Sequence, residues 1–160
     1  MAEQIMRIGR LMWLDCLRQL HLRSEGVHES GCFLLGRKDD QNLRADHCVY
    51  YDELDRNAYS SGVCVLYADA FECLFALCRN SGLTVIADIH THPGSARQSH
   101  ADRQNPMVAR AGHIALIVPS YARPPVWRHL LGAYQYRGSH EWTDHSGWGV
   151  RRWLRTGTLR

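Results

Sequence analysis

A single lysine, Lys38, stands among the 19 basic residues of the chain, and all the others are arginine. With a formal net charge of only +3 and basic residues scattered apart from Arg151, Arg152 and Arg155, no cationic stripe exists for a nucleic acid to bind. The arginine bias itself reads as codon usage in a GC-rich genome. None of the six cysteines forms the C-x-x-C pair of zinc ribbons and dithiol redox sites. No apolar run approaches the ~18 residues of a membrane span, and Met1-Ala2-Glu3-Gln4 lacks the pattern of a secretory leader, so a cytoplasmic protein with no membrane contact is expected. A (β/α)8 barrel takes roughly 250 residues. At 160 residues, hydrolases on that scaffold are excluded.

What is present suits one folded domain over residues 1–160: 45% hydrophobic and 22% charged residues are ordinary proportions for a soluble chain. After a short strand at 4–8, Leu11, Trp13, Leu14, Leu17 and Leu20 predict an amphipathic helix ending near Ser24. A second helix is predicted from Tyr67 to Arg79, with Phe71, Leu74, Phe75 and Cys78 on one face and Gly82 as its stop. Strands are predicted at 31–36, 48–51, 84–90, 112–118, 130–136 and around Trp142. The fold class expected is α/β (α+β): a mixed sheet flanked by helices. The tail from Trp148 is either a final short element or a partner-binding end. Cys16, Cys32, Cys48 and Cys64 recur every sixteen residues. Their surroundings do not repeat, so the period is taken as coincidence and the cysteines as buried small hydrophobes.

The chemistry concentrates in Val85–Asp102, VIADIHTHPGSARQSHAD. Alternation along a strand puts Ile86, Asp88, His90 and His92 on one face, and two imidazoles at that spacing can grip one metal ion. Pro93 then turns the chain. Ser99 is a good helix N-cap, and Asp102, three residues on, returns a carboxylate towards the histidines from the first helical turn. Two histidines and an aspartate with solvent in the fourth position make an open zinc site of catalytic type. An H-x-H pair alone is common by chance; the adjoining proline and S-x-x-D make the joint pattern specific. A metallo-β-lactamase pattern needs an aspartate where Gly94 stands, and a cupin needs a glutamate that is missing between Glu72 and Glu141. Asp88 shares the histidine face and is a candidate to orient a ligand imidazole. His100 and His113 are read as structural.

His90-Thr91-His92-Pro93 followed by Ser99-x-x-Asp102 resembles the JAMM (MPN+/JAB) metalloprotease motif. Glu29-Ser30-Gly31-Cys32-Phe33-Leu34-Leu35-Gly36 is similar to that family's glutamate strand, E-x-G-G-x-L-x-G. The order of elements agrees from Ile5 to Tyr136. Two departures stand out: Cys32 replaces the second glycine, and the loop from His92 to Ser99 is one residue shorter than usual. The resemblance implies that His90, His92 and Asp102 bind Zn2+, that Glu29 is the general base, in preference to its neighbours Glu25 and Glu53, and that Ser99 stabilises the oxyanion. It also implies a JAB/MPN-like fold and cleavage after the C-terminal glycine of a ubiquitin-like protein, in its conjugates or its precursor. A substrate tail is expected to lie along a sheet edge. The short stretch from Asp102 to Gly112 leaves little room for insertions that hold a second ubiquitin. It looks most like bacterial members encoded beside activating-like and conjugating-like enzymes, often in antiphage defence. The alternatives are a non-catalytic MPN-type scaffold and processing of a sulfur-carrier protein. A deaminase would need H-x-E and P-C-x-x-C, and both are missing.

Overall fold

The computed structural model describes residues 4–157. One mixed sheet organises them: β1 (Ile5–Arg7), β2 (Gly31–Lys38), β3 (Asn42–Tyr50), β4 (Thr84–Thr91), β5 (Ile114–Val118), β6 (Gly132–Gly138), β7 (Glu141–Asp144) and β8 (Leu154–Arg155). Their order across the sheet is β7-β6-β5-β4-β2-β3-β1-β8. The β4–β5, β1–β3 and β1–β8 pairs are parallel and the others antiparallel. Eight strands stand where seven segments are expected. The added one is β8, which resolves the tail as a helical turn α5 (Val150–Trp153) and a strand beside β1.

Helices cover both faces. On one, α1 (Arg10–Ser24) buries Trp13, Cys16, Leu17 and Leu20, a stripe at helical spacing that meets Cys32, Leu34, Ile89 and Leu116 of the sheet in the larger core cluster. On the other, α3 (Ala68–Ser81) buries Leu74 against Phe33, Leu35, Val49 and Tyr51. Gly82, at φ 67°, ends α3 in the left-handed conformation that a residue with a Cβ adopts at a cost. Tyr51, expected in a strand, instead starts the short helix α2 (Tyr51–Leu54), because Glu53 reaches back to accept from the Tyr50 backbone N–H at 3.1 Å.

Ile86 also departs from expectation. The β2–β4 register shifts between Leu34 and Leu35, so that Leu34 faces Ala87 and Leu35 faces Val85. This bulge turns Ile86 into the α1-side core, while Asp88 and His90 occupy the other face. The sheet edges are β7 and β8, and β4 lies at its middle. A tail laid along a sheet edge would therefore miss the end of β4.

Candidate metal centre

Two glycines set the approach of β2 to its neighbours. A Cβ at Gly31 would collide with the Tyr51 ring, and one at Gly36 with the Arg44 carbonyl oxygen. Glu29 precedes this strand and is held from several sides. Its N–H donates to Gly62 O at 2.9 Å, and its Oε2 accepts from the Cys64 N–H at 3.4 Å. Next to it, Ser30 is fully buried: its hydroxyl donates to Leu20 O at 2.7 Å, and its N–H donates to Thr91 Oγ1 at 3.0 Å. Glu29 is thereby fixed against the end of β4.

There His90 and His92 bring their Nε2 atoms to 3.0 Å. The chain turns at Pro93 and returns through α4 (His100–Gln104), capped by Ser99. Ser99 N–H donates to Asp102 Oδ2 at 2.7 Å, and Asp102 N–H donates to Ser99 Oγ at 3.1 Å. This reciprocal cap aims the carboxylate back: Asp102 Oδ1 lies 3.4 Å from His90 Nε2 and Oδ2 lies 3.2 Å from His92 Nε2. The shortened loop accomplishes this by packing on β6. The Tyr134 hydroxyl donates to Ala96 O at 3.1 Å and accepts from the Gln98 N–H at 3.3 Å. On its far side, the left-handed turn at Ser120–Ala122 donates Tyr121 N–H to His92 O at 2.9 Å.

Glu29 Oε1 stands 3.8 Å from His92 Nε2. Of its rivals, Glu25 forms the left-handed end of α1, and Glu53 caps α2 and pairs with Arg23 at 3.4 Å. Asp88 lies behind His90, its Oδ2 3.9 Å from a buried His90 Nδ1 that has no hydrogen-bond partner. Its Oδ1 accepts from His113 Nε2 at 2.7 Å. Burial alone would raise the Asp88 carboxyl, but the His113 and His90 contacts outweigh it and hold the pKa below the ordinary value. For His90 burial works downward, and Asp102 followed by Asp88 pushes it up to about 10. Asp102 is pulled down by the two imidazoles despite the opposing effect of burial. Such mutual shifts mark a tight cluster of opposite charge that a cation can replace a proton in.

Do these residues fit a metal ion? For a tetrahedral zinc with bonds of about 2.0–2.1 Å, neighbouring N and O ligands sit about 3.3 Å apart. Here the two Nε2 atoms stand 3.0 Å apart, and the Asp102 carboxylate spans them, with Oδ1 3.4 Å from His90 Nε2 and Oδ2 3.2 Å from His92 Nε2. It fits. Among the described residues one other trio of donor side chains is as close, Cys16, Cys32 and Cys48, but it sits on the opposite face of the sheet, against α1.

The triangle opens on a cleft of about 480 Å3 whose lining includes Glu29, Ser99, Phe71, Met107 and Trp142. Cys64 also lines it. Burial, then the charges of Glu29, Asp88 and Asp102, push that thiol well above its ordinary pKa, so it is a poor nucleophile. Three contributors were not legible in the sequence. Cys64 supports Glu29 from 35 residues away through its backbone N–H. His113, read as structural, is the partner of Asp88. Its place just before β5 carries the signal for this contact, since Ala115 of that strand pairs with Asp88. The Trp142 indole N–H donates to Arg103 O at 3.1 Å, tying β7 to the end of α4.

The chain is 32% identical over 135 residues to Probable metalloprotease y4jG of Sinorhizobium fredii, covering 81% of this chain and 83% of that protein. It belongs to this metalloprotease family. No protein-family profile matches. Of solved structures, protein DSY2949 from Desulfitobacterium hafniense aligns with 97% of this metalloprotease-family chain and 94% of its own, at TM-score 0.66 and 16% identity. A protein from Salinibacter ruber aligns with 81% and 84%, at TM-score 0.52 and 23% identity. Those two likenesses concern the fold alone. No helix among the described residues is long and apolar enough to cross a membrane.

Proposed function

We propose that this chain is a zinc-dependent peptidase of the JAMM (MPN+) type, with a JAB/MPN-like fold, that cleaves after the C-terminal glycine of a ubiquitin-like protein. The observation that carries the reading is the His90–His92–Asp102 triangle with Glu29 Oε1 at 3.8 Å from one of its corners. A Zn2+ held there supplies Lewis acidity to a carbonyl and acidifies a water. Glu29 is the group placed to take a proton from that water and deliver it to the departing amine. Ser99 Oγ already accepts from the Asp102 N–H. Its own O–H is therefore left to donate towards a developing oxyanion, an interaction worth about 3 kcal/mol in such sites. No covalent intermediate is required, in keeping with the protonated Cys64.

The substrate tail runs through the cleft between the 63–66 segment and the end of α4, away from either sheet edge. The apolar walls at Val63, Leu66 and Met107 suit an extended peptide carrying apolar side chains and ending in small residues. In this reading the partners are a ubiquitin-like protein and its conjugates, made by activating-like and conjugating-like enzymes of a bacterial system that could serve antiphage defence. The test is incubation of the zinc-loaded protein with ubiquitin-like fusions from the same genome, read by intact mass. Cleavage directly after the terminal glycine is expected. Cleavage at another position, or none with any fusion, would overturn the assignment. Processing of a sulfur-carrier protein would appear as cleavage of that fusion alone.

A further inference from the structure

On the face of the sheet opposite the candidate active site, three cysteines meet. Cys16 comes from the middle of α1, Cys32 from β2 and Cys48 from β3. Leu34 pairs with Cys48 and Cys32 with Tyr50 across the β2–β3 ladder, so all four side chains share the α1-facing side. Cys16 and Cys32 are fully buried, with their Sγ atoms 3.7 Å apart, and Cys48 is half-buried. The three Sγ atoms all lie within 4.8 Å of one another. Tetrahedral zinc with bonds of about 2.3 Å to sulfur sets neighbouring thiolates about 3.8 Å apart. The Cys16–Cys32 pair already stands at that separation. Cys32 is also the residue that departs from the glycine of the resembled E-x-G-G-x-L-x-G strand, so the cluster exists only because this chain replaces that glycine.

We infer that Cys16, Cys32 and Cys48 form a second, structural metal site for a thiophilic divalent cation such as Zn2+. Three thiols release three protons to solvent as three metal–sulfur bonds form, and solvent reaches the fourth position from the half-exposed Cys48 side. The ion would staple α1 to the β2–β3 hairpin. Thiolate ligands select it from the nitrogen and oxygen triangle across the sheet, which has no sulfur donor.

Cobalt titration of the fully reduced full-length chain distinguishes the sites, because only a thiolate-bound Co2+ gives an intense sulfur-to-cobalt charge-transfer band. Two equivalents are expected to bind, one with that band. Cys48→Ser should abolish the band and keep one equivalent, whereas His92→Ala should keep the band and lose the other equivalent. Absence of the band in the reduced wild type, or an unchanged band in Cys48→Ser, would overturn the inference. If Cys48→Ser does not fold, X-ray absorption at the zinc edge of the wild type decides: zinc–sulfur scattering supports the site, and its absence overturns it. Loss of two protons by intact mass, a Cys16–Cys32 disulfide in the protein as isolated from a reducing cytosol, would also overturn it.

Discussion

The middle of the sheet carries a trio of donor atoms on each face, and they are built in opposite ways. The His90–His92–Asp102 trio gathers at a strand end, in a cleft, from residues close together in the chain. The Cys16–Cys32–Cys48 trio gathers in the packed seam between α1 and two strands, from residues spread across the first third of the chain. The first leaves one side open, with Glu29 and Ser99 at its border, as a reaction requires. The second is packed among apolar neighbours, with Cys48 alone partly exposed, as a cross-link requires. Openness and neighbouring acid–base groups, more than donor count, separate a reactive centre from a structural one.

Mutations sharpen this contrast in a descending series. His92→Ala removes a corner of the triangle and should abolish both turnover and one equivalent of metal, read by elemental analysis; retention of full metal would break the contrast at its root. Glu29→Gln should keep the metal and lower kcat by about 10²–10⁴-fold, and unchanged kcat would move the proton-transfer role elsewhere. Ser99→Ala should cost about 10²–10³-fold in kcat through the lost oxyanion donor. It should also lose about 1 kcal/mol of stability through the lost cap of α4, measured by denaturant unfolding. Asp88→Asn leaves the ligands in place but weakens what stands behind His90, and should reduce metal affinity about 10–100-fold by competition with a chelator. Leu74→Ala, in the core beneath the active-site face, should destabilise the fold by about 2–5 kcal/mol with both metal equivalents retained.

The two trios also differ in how far the sequence discloses them. His90-x-His92-Pro93 and Ser99-x-x-Asp102 declare themselves because strand alternation and helix capping are local rules, and both are short enough to read directly. Glu29 is legible only through the resemblance of 29–36 to E-x-G-G-x-L-x-G, and its grip by the 62–64 segment is not legible at all, because that contact is made by a loop with no periodic pattern. The sixteen-residue cysteine period shows the limit of such reading. No local rule connects a mid-helix residue with two strand residues, so in the sequence three of those cysteines read as isolated hydrophobes, and only the packing of α1 on β2 and β3 brings them together. The fourth, Cys64, falls in the cleft on the other face, so the period is not a repeat. Strict alternation misplaces Ile86 for a related reason, since it carries no information on the bulge between Leu34 and Leu35.

Anomalous diffraction at the zinc edge from crystals of the metal-loaded protein tests the central claim most directly. A peak bounded by His90 Nε2, His92 Nε2 and the Asp102 carboxylate, within reach of Glu29, is predicted. Strong anomalous density elsewhere, with these three side chains turned away from one another, would contradict it.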